Sequence, residues 1–73
     1  DEPLILVVCY SSAFQRLIRL SLQRAGLRPR LAETFREGFA ILQKEHPQAI
    51  IVDGLGGEEW EFVREVRKMP GRS

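Results

Sequence analysis

Ala49-Ile50-Ile51-Val52-Asp53-Gly54-Leu55-Gly56-Gly57 is the stretch on which the fold turns. A short β-branched run that ends in a carboxylate and passes into glycines has the pattern of a strand in a parallel sheet, and the C-terminal edge of such a sheet is where sites are built. Asp53 is thereby expected at the site edge. Leu4-Ile5-Leu6-Val7-Val8 is a second run of the same kind, so its exit should lie beside Asp53. That exit reads Cys9-Tyr10 and brings no acid.

Between these two runs the sequence alternates in type. Ser11 or Ser12 is suited to cap a helix over 12–25, in which Phe14, Leu17, Ile18, Leu22 and Ala25 recur at helical spacing and Gly26 supplies the stop. Leu27 to Leu31 reads as a weak strand, and Pro29 within it cannot donate to a ladder, which assigns that strand to a sheet edge. Thr34 and Glu37 have capping-box spacing for a second helix that buries Phe35, Phe39 and Ile41 or Leu42 and ends before His46-Pro47. After the strand 49–53, Trp60, Phe62, Val63 and Val66 mark a third amphipathic helix that stops near Met69-Pro70-Gly71. The order βαβαβα with short connections demands a parallel sheet and right-handed crossovers; with the second strand at one edge, the strand order is 2-1-3.

The chain has 73 residues, the length of one small domain, and at 44% hydrophobic and 29% charged it has the composition of an ordinary soluble globular protein. A chain of this size buries only ~60% of its unfolded surface, so help from a second copy is a reasonable expectation. No apolar stretch approaches the ~20 residues of a membrane span, and no secretory leader is recognisable. Cys9 is the only cysteine, which excludes an intrachain disulfide and a cysteine-based zinc cluster and fits a cytoplasmic location. A first residue of Asp1 rather than methionine reads as a fragment or minimal form of something longer. The net charge of +1 does not point to a nucleic-acid partner. Its distribution is uneven, with Arg16, Arg19, Arg24, Arg28, Arg30 and Arg36 in the first half and Glu58, Glu59, Glu61 and Glu65 near the end.

Taken in order, these segments resemble the receiver domains of bacterial two-component response regulators. Leu4 to Val8 is similar to the family's first strand, Ser12-Ala13-Phe14-Gln15-Arg16-Leu17-Ile18-Arg19 to its first helix, and Leu31-Ala32-Glu33 to the exit of its second strand. Ala49 to Asp53 resembles the strand ending in the phosphoacceptor aspartate, and Trp60-Glu61-Phe62-Val63-Arg64-Glu65-Val66-Arg67 the helix that follows it. The resemblance covers the whole chain, 1–73, as one domain. It implies a flavodoxin-like, three-layer fold truncated to its first three βα units.

By the same resemblance Asp53 stands at the phosphoacceptor position, while Cys9 and Tyr10 occupy the places of the paired acids that hold magnesium in the family. The strands that carry the family's switch hydroxyl and lysine have no counterpart in this sequence, and the loop after Asp53 is about two residues short. Magnesium takes hard oxygen ligands, for which a thiol and a phenol are poor substitutes. Neither a metal nor a cofactor is therefore expected, and Asp53 reads as a fold remnant whose carboxylate accepts hydrogen bonds from the Gly54 to Gly57 amides.

The function expected from this reading is that of a pseudo-receiver: a non-enzymatic interaction or dimerisation module in a signalling or regulatory protein, partnered by a second copy or another signalling protein. The third strand would be left as a hydrophobic edge, which invites pairing. Ile50, Ile51, Val52, Trp60, Phe62 and Val66 are accordingly the interface candidates. Two alternatives stay open. One is a phosphate-accepting receiver that uses Asp53 with acids supplied from elsewhere; the other is an arginine-mediated anion or nucleic-acid binding module. Cys9 as a reactive thiol, His46 as a metal ligand and Gly54 to Gly57 as a phosphate-binding loop each have a simpler reading, as a buried small hydrophobe, a surface residue at a helix exit and a flexible turn.

Overall fold

The structure, a computed structural model, describes residues 2–53 and 59–69. Six elements follow in the expected order: β1 (Leu4–Cys9), α1 (Ser12–Arg24), β2 (Arg28–Ala32), α2 (Phe35–Lys44), β3 (Ala49–Asp53) and α3 (Glu59–Lys68). The three strands form one parallel sheet in the order β2-β1-β3. This is the α/β architecture and strand order that the hydrophobic pattern predicts, with β2 displaced by one residue toward its C-terminus.

All six residues of β1 are buried, because the strand is paired on both sides and covered on both faces. Its side chains alternate between two cores, as the two-residue period of a strand requires. Leu6 and Val8 join Ala32, Leu42, Phe62 and Val66 on the face covered by α2 and α3. Ile5, Val7 and Cys9 face the other way, against Phe14, Ile18 and Leu22 of α1. The chain steps from β1 to β2 in one direction and from β2 past β1 to β3 in the other. Crossovers of one hand then put α1 and α2 on opposite faces of the sheet, as found.

Local chemistry fixes the helix ends. The Ser11 hydroxyl accepts the Phe14 N–H at 3.3 Å and opens α1. At the other end Gly26, at φ 80°, lets its N–H reach the Gln23 carbonyl at 3.1 Å and the Leu27 N–H reach that of Leu22 at 2.9 Å. This is a Schellman closure, and it carries Leu27 onto Leu22 in the α1-side core. For α2, Thr34 Oγ1 accepts the Glu37 N–H at 3.1 Å, while the Glu37 carboxylate accepts the N–H of Glu33, one residue before the cap, at 3.3 Å.

Phe62 is the centre of the α2–α3 core. It is 1% exposed, its ring stacks on Phe35 at 4.9 Å between centroids, and it lies 4.8 Å from Phe39. Gly38 makes this possible: a Cβ there would lie 3.1 Å from Val8 Cγ2 and 3.2 Å from Phe62 Cε1. The absence of a side chain at one turn of α2 is what lets the helix settle onto β1 and Phe62 together.

Two positions depart from the helical pattern. Leu17, expected on the buried stripe of α1, is 64% exposed, because Phe14, Ile18 and Leu22 already cover the Ile5–Val7–Cys9 face. Trp60, counted on the apolar stripe of the third helix, is 73% exposed, because Phe62 and Val66 are the residues of α3 that face the core.

Candidate functional site

The C-terminal edge of the sheet assembles Cys9, Tyr10 and Ser11 at the exit of β1, Glu33 and Thr34 after β2, and Asp53 at the end of β3. Cys9 and Asp53 are register partners across the β1–β3 pair. The two side chains nevertheless live in different surroundings. Cys9 is 1% exposed within the α1-side core, and its Sγ lies 3.8 Å from the Ser11 carbonyl oxygen, a contact for a weak thiol donor. Asp53 is exposed.

The end of β1 is closed by its own neighbours. The Gln15 side-chain amide donates to the Cys9 carbonyl, so the first turn of α1 is tied to the strand exit, and the Ser11 cap holds the same turn from the other side. Tyr10 points away from this arrangement and is 62% exposed. What the edge offers chemically, among the described residues, is two solvated carboxylates, Asp53 and Glu33, the exposed hydroxyls of Ser11 and Thr34, the exposed phenol of Tyr10 and the buried thiol of Cys9.

Magnesium requires several oxygen ligands in near-octahedral geometry. Among the described residues no three of the His, Cys, Asp and Glu side chains are grouped to hold a metal ion. The Gly54 to Gly57 loop, and with it the expected amide bonds to Asp53, lies outside the described residues. His46 is exposed at the exit of α2.

The arginines of the first half are distributed over α1, β2 and α2, which occupy both faces and one edge of the sheet. Arg30 is held 2.9 Å from Glu45 at the N-terminal end of the sheet, beside Leu4, Arg28 and Pro29.

Of the interface candidates, Phe62 and Val66 are buried in the chain's own core, at 1% and 7% exposure. Ile50, Ile51 and Val52 are half-buried, and Trp60 is exposed. Ile50, Val52, Glu59, Trp60 and Val63 line a groove of about 310 Å³ along β3 and α3. Sequence reasoning names most of these residues separately but not the groove. It also passes over Gly38 and Gln15; the signal available for Gly38 was its place four residues before Leu42, on the buried face of α2.

Comparison with models of known protein families, with curated proteins and with solved structures finds no match. Among the described residues no helix is long and apolar enough to cross a membrane.

Proposed function

We propose that the chain is a pseudo-receiver: a receiver-like, flavodoxin-like α/β unit that works by protein–protein interaction and has no phosphoryl chemistry of its own. The observation that carries this reading is the fate of Cys9. The position that in the resembling family would bear an acid is filled by a thiol buried in the cluster that holds Ile5, Val7, Phe14 and Ile18, in register with the exposed Asp53. A phosphoryl group arriving at Asp53 would find no cluster to hold a metal ion among the described residues, and charge neutralisation is most of what phosphoryl-transfer catalysis consists of.

The experiment is a magnesium titration followed by the amide spectrum and Trp60 fluorescence. The reading predicts no saturable change below millimolar magnesium. Saturable binding at lower concentration that Asp53→Asn abolishes would overturn it in favour of a phosphate-accepting receiver.

A further inference from the structure

The two edges of the sheet are built differently. The outer edge of β2 carries Pro29, which has no N–H, between Arg28 and Arg30; these are the usual safeguards against strand addition. The outer edge of β3 has none of them. Among the described residues Ala49-Ile50-Ile51-Val52-Asp53 pairs only with β1, and its three large apolar side chains stay half-buried although those of β1 are at most 8% exposed.

The surface beside that edge continues without a break. Ile50 and Val52 form one wall of the 310 Å³ groove, and Trp60 and Val63 form the other. Trp60 and Val63 then line a second hollow of about 260 Å³ with Arg64 and Arg67. Residues 60, 63, 64 and 67 have the i, i+3, i+4, i+7 spacing of a single helix stripe. The stripe lies next to the buried Phe62–Val66 side of α3 and is turned toward the open edge.

We propose that this surface is occupied by a second copy of the chain, with β3 pairing antiparallel to its mate about a two-fold axis through Ile51. The argument is self-complementarity at three levels. A two-fold axis perpendicular to the sheet sets Ile51 opposite Ile51 and Ile50 opposite Val52, with Asp53 opposite Ala49 at either end, and keeps every side chain on its own face, so the large apolar residues meet one another.

The helices then fit as well. Phe62 and Val66 pack in the cluster that holds Leu6 and Val8 of β1, while Trp60 and Val63 line the groove along Ile50 and Val52 of β3, so α3 runs over these two strands. The two copies of α3 come to lie about two strand spacings apart, ~9.5 Å. Packed helices sit 8–10 Å apart, so they would meet without bending the sheet.

The charges agree with the same axis. The α3 pair is antiparallel, which runs the first turn of each copy, with Trp60 and Glu61, toward the last turn of the other, with Arg67 and Lys68. Glu59 and Glu61 lie in the first turn of α3, and Arg67 and Lys68 in its last. A guanidinium over an exposed indole adds a cation–π contact. A parallel arrangement would instead set like charges together.

This inference rests on the interaction-module reading, and the two fail separately. Phosphoryl uptake at Asp53 would overturn that reading and leave the dimer standing; a monomer that takes up no phosphoryl group overturns the dimer alone.

The test is sedimentation equilibrium of the 73-residue chain from low to high micromolar concentration, with Trp60→Ala and Arg67→Glu as variants at exposed positions and circular dichroism to confirm that they fold. A dimer whose dissociation constant rises at least tenfold in each variant, with the Trp60 emission of the parent shifting to the red on dilution, is the expected result. A mixed dimer of labelled and unlabelled chains should also give an intermolecular Ile51–Ile51 nuclear Overhauser effect. A monomer across the range, or a dimer indifferent to both substitutions and lacking that effect, would overturn the proposal.

Discussion

Cys9 and Asp53 are register partners at the C-terminal ends of β1 and β3, yet the thiol is 1% exposed and the carboxylate is in solvent. β1 turns its last side chain into the α1-side core. The end of β1 is consequently well packed, while the carboxylate at the end of β3 is left to solvent.

It follows that Cys9→Asp should be strongly destabilising. The new carboxylate would be buried in the apolar cluster of Ile5, Val7, Phe14 and Ile18, and an uncompensated buried charge costs about 3 kcal/mol or more. Cys9→Ala removes only a small side chain and should cost about 1 kcal/mol. Urea unfolding of both variants measures the difference. Equal stabilities would mean that the end of β1 is open to water. Tyr10→Asp, at an exposed position, should change little in the same assay.

Gly38→Ala sets two effects against each other. Helix propensity favours alanine by about 1 kcal/mol, but the added methyl would press on Val8 and on a Phe62 ring held between Phe35 and Phe39. Overpacking of this kind costs about 1–3 kcal/mol, so the net outcome should be a loss of stability. Thermal melting decides the sign; a gain would show that α3 can move outward freely.

At Gly26 the expectation comes from the backbone alone. Its φ of 80° is costly for a residue with a Cβ, although open space surrounds the position. Gly26→Ala should therefore destabilise by about 1 kcal/mol. Gly26→Asn, which tolerates the left-handed region better, should lose less, and the ordering of the two melting temperatures is the check.

Phe62→Ala tests whether α3 belongs to the folding core. Its ring is the contact shared by Phe35, Phe39 and the Gly38 turn, so truncation should cost about 3–5 kcal/mol and, in a chain this small, unfold most of the population. Trp60→Ala, two residues away but 73% exposed, should leave the fold intact.

The frame of the molecule was legible because its strands announce themselves. Leu4 to Val8 and Ala49 to Asp53 are uninterrupted apolar runs, Pro29 marks an edge, and Thr34 with Glu37 marks a helix start. Amphipathic helices were less readable, since a stripe wider than the available sheet face leaves a residue over: Leu17 on α1 and Trp60 on α3 fit the helical period but find no core to enter. Gly38 was invisible for the opposite reason. Its importance lies in what it lacks, and only the approach of Val8 and Phe62 from other elements reveals it. The groove between β3 and α3 likewise depends on how far α3 sits from the sheet edge, which no local pattern encodes.

The central claim is that the edge of the sheet at Asp53 performs no phosphoryl chemistry, and the most direct measurement is intact-protein mass after incubation with magnesium and a small-molecule phosphodonor, with Asp53→Asn alongside. The account predicts the same unmodified mass for both proteins, however long the incubation. A phosphoryl adduct on the parent that is absent from Asp53→Asn would contradict it.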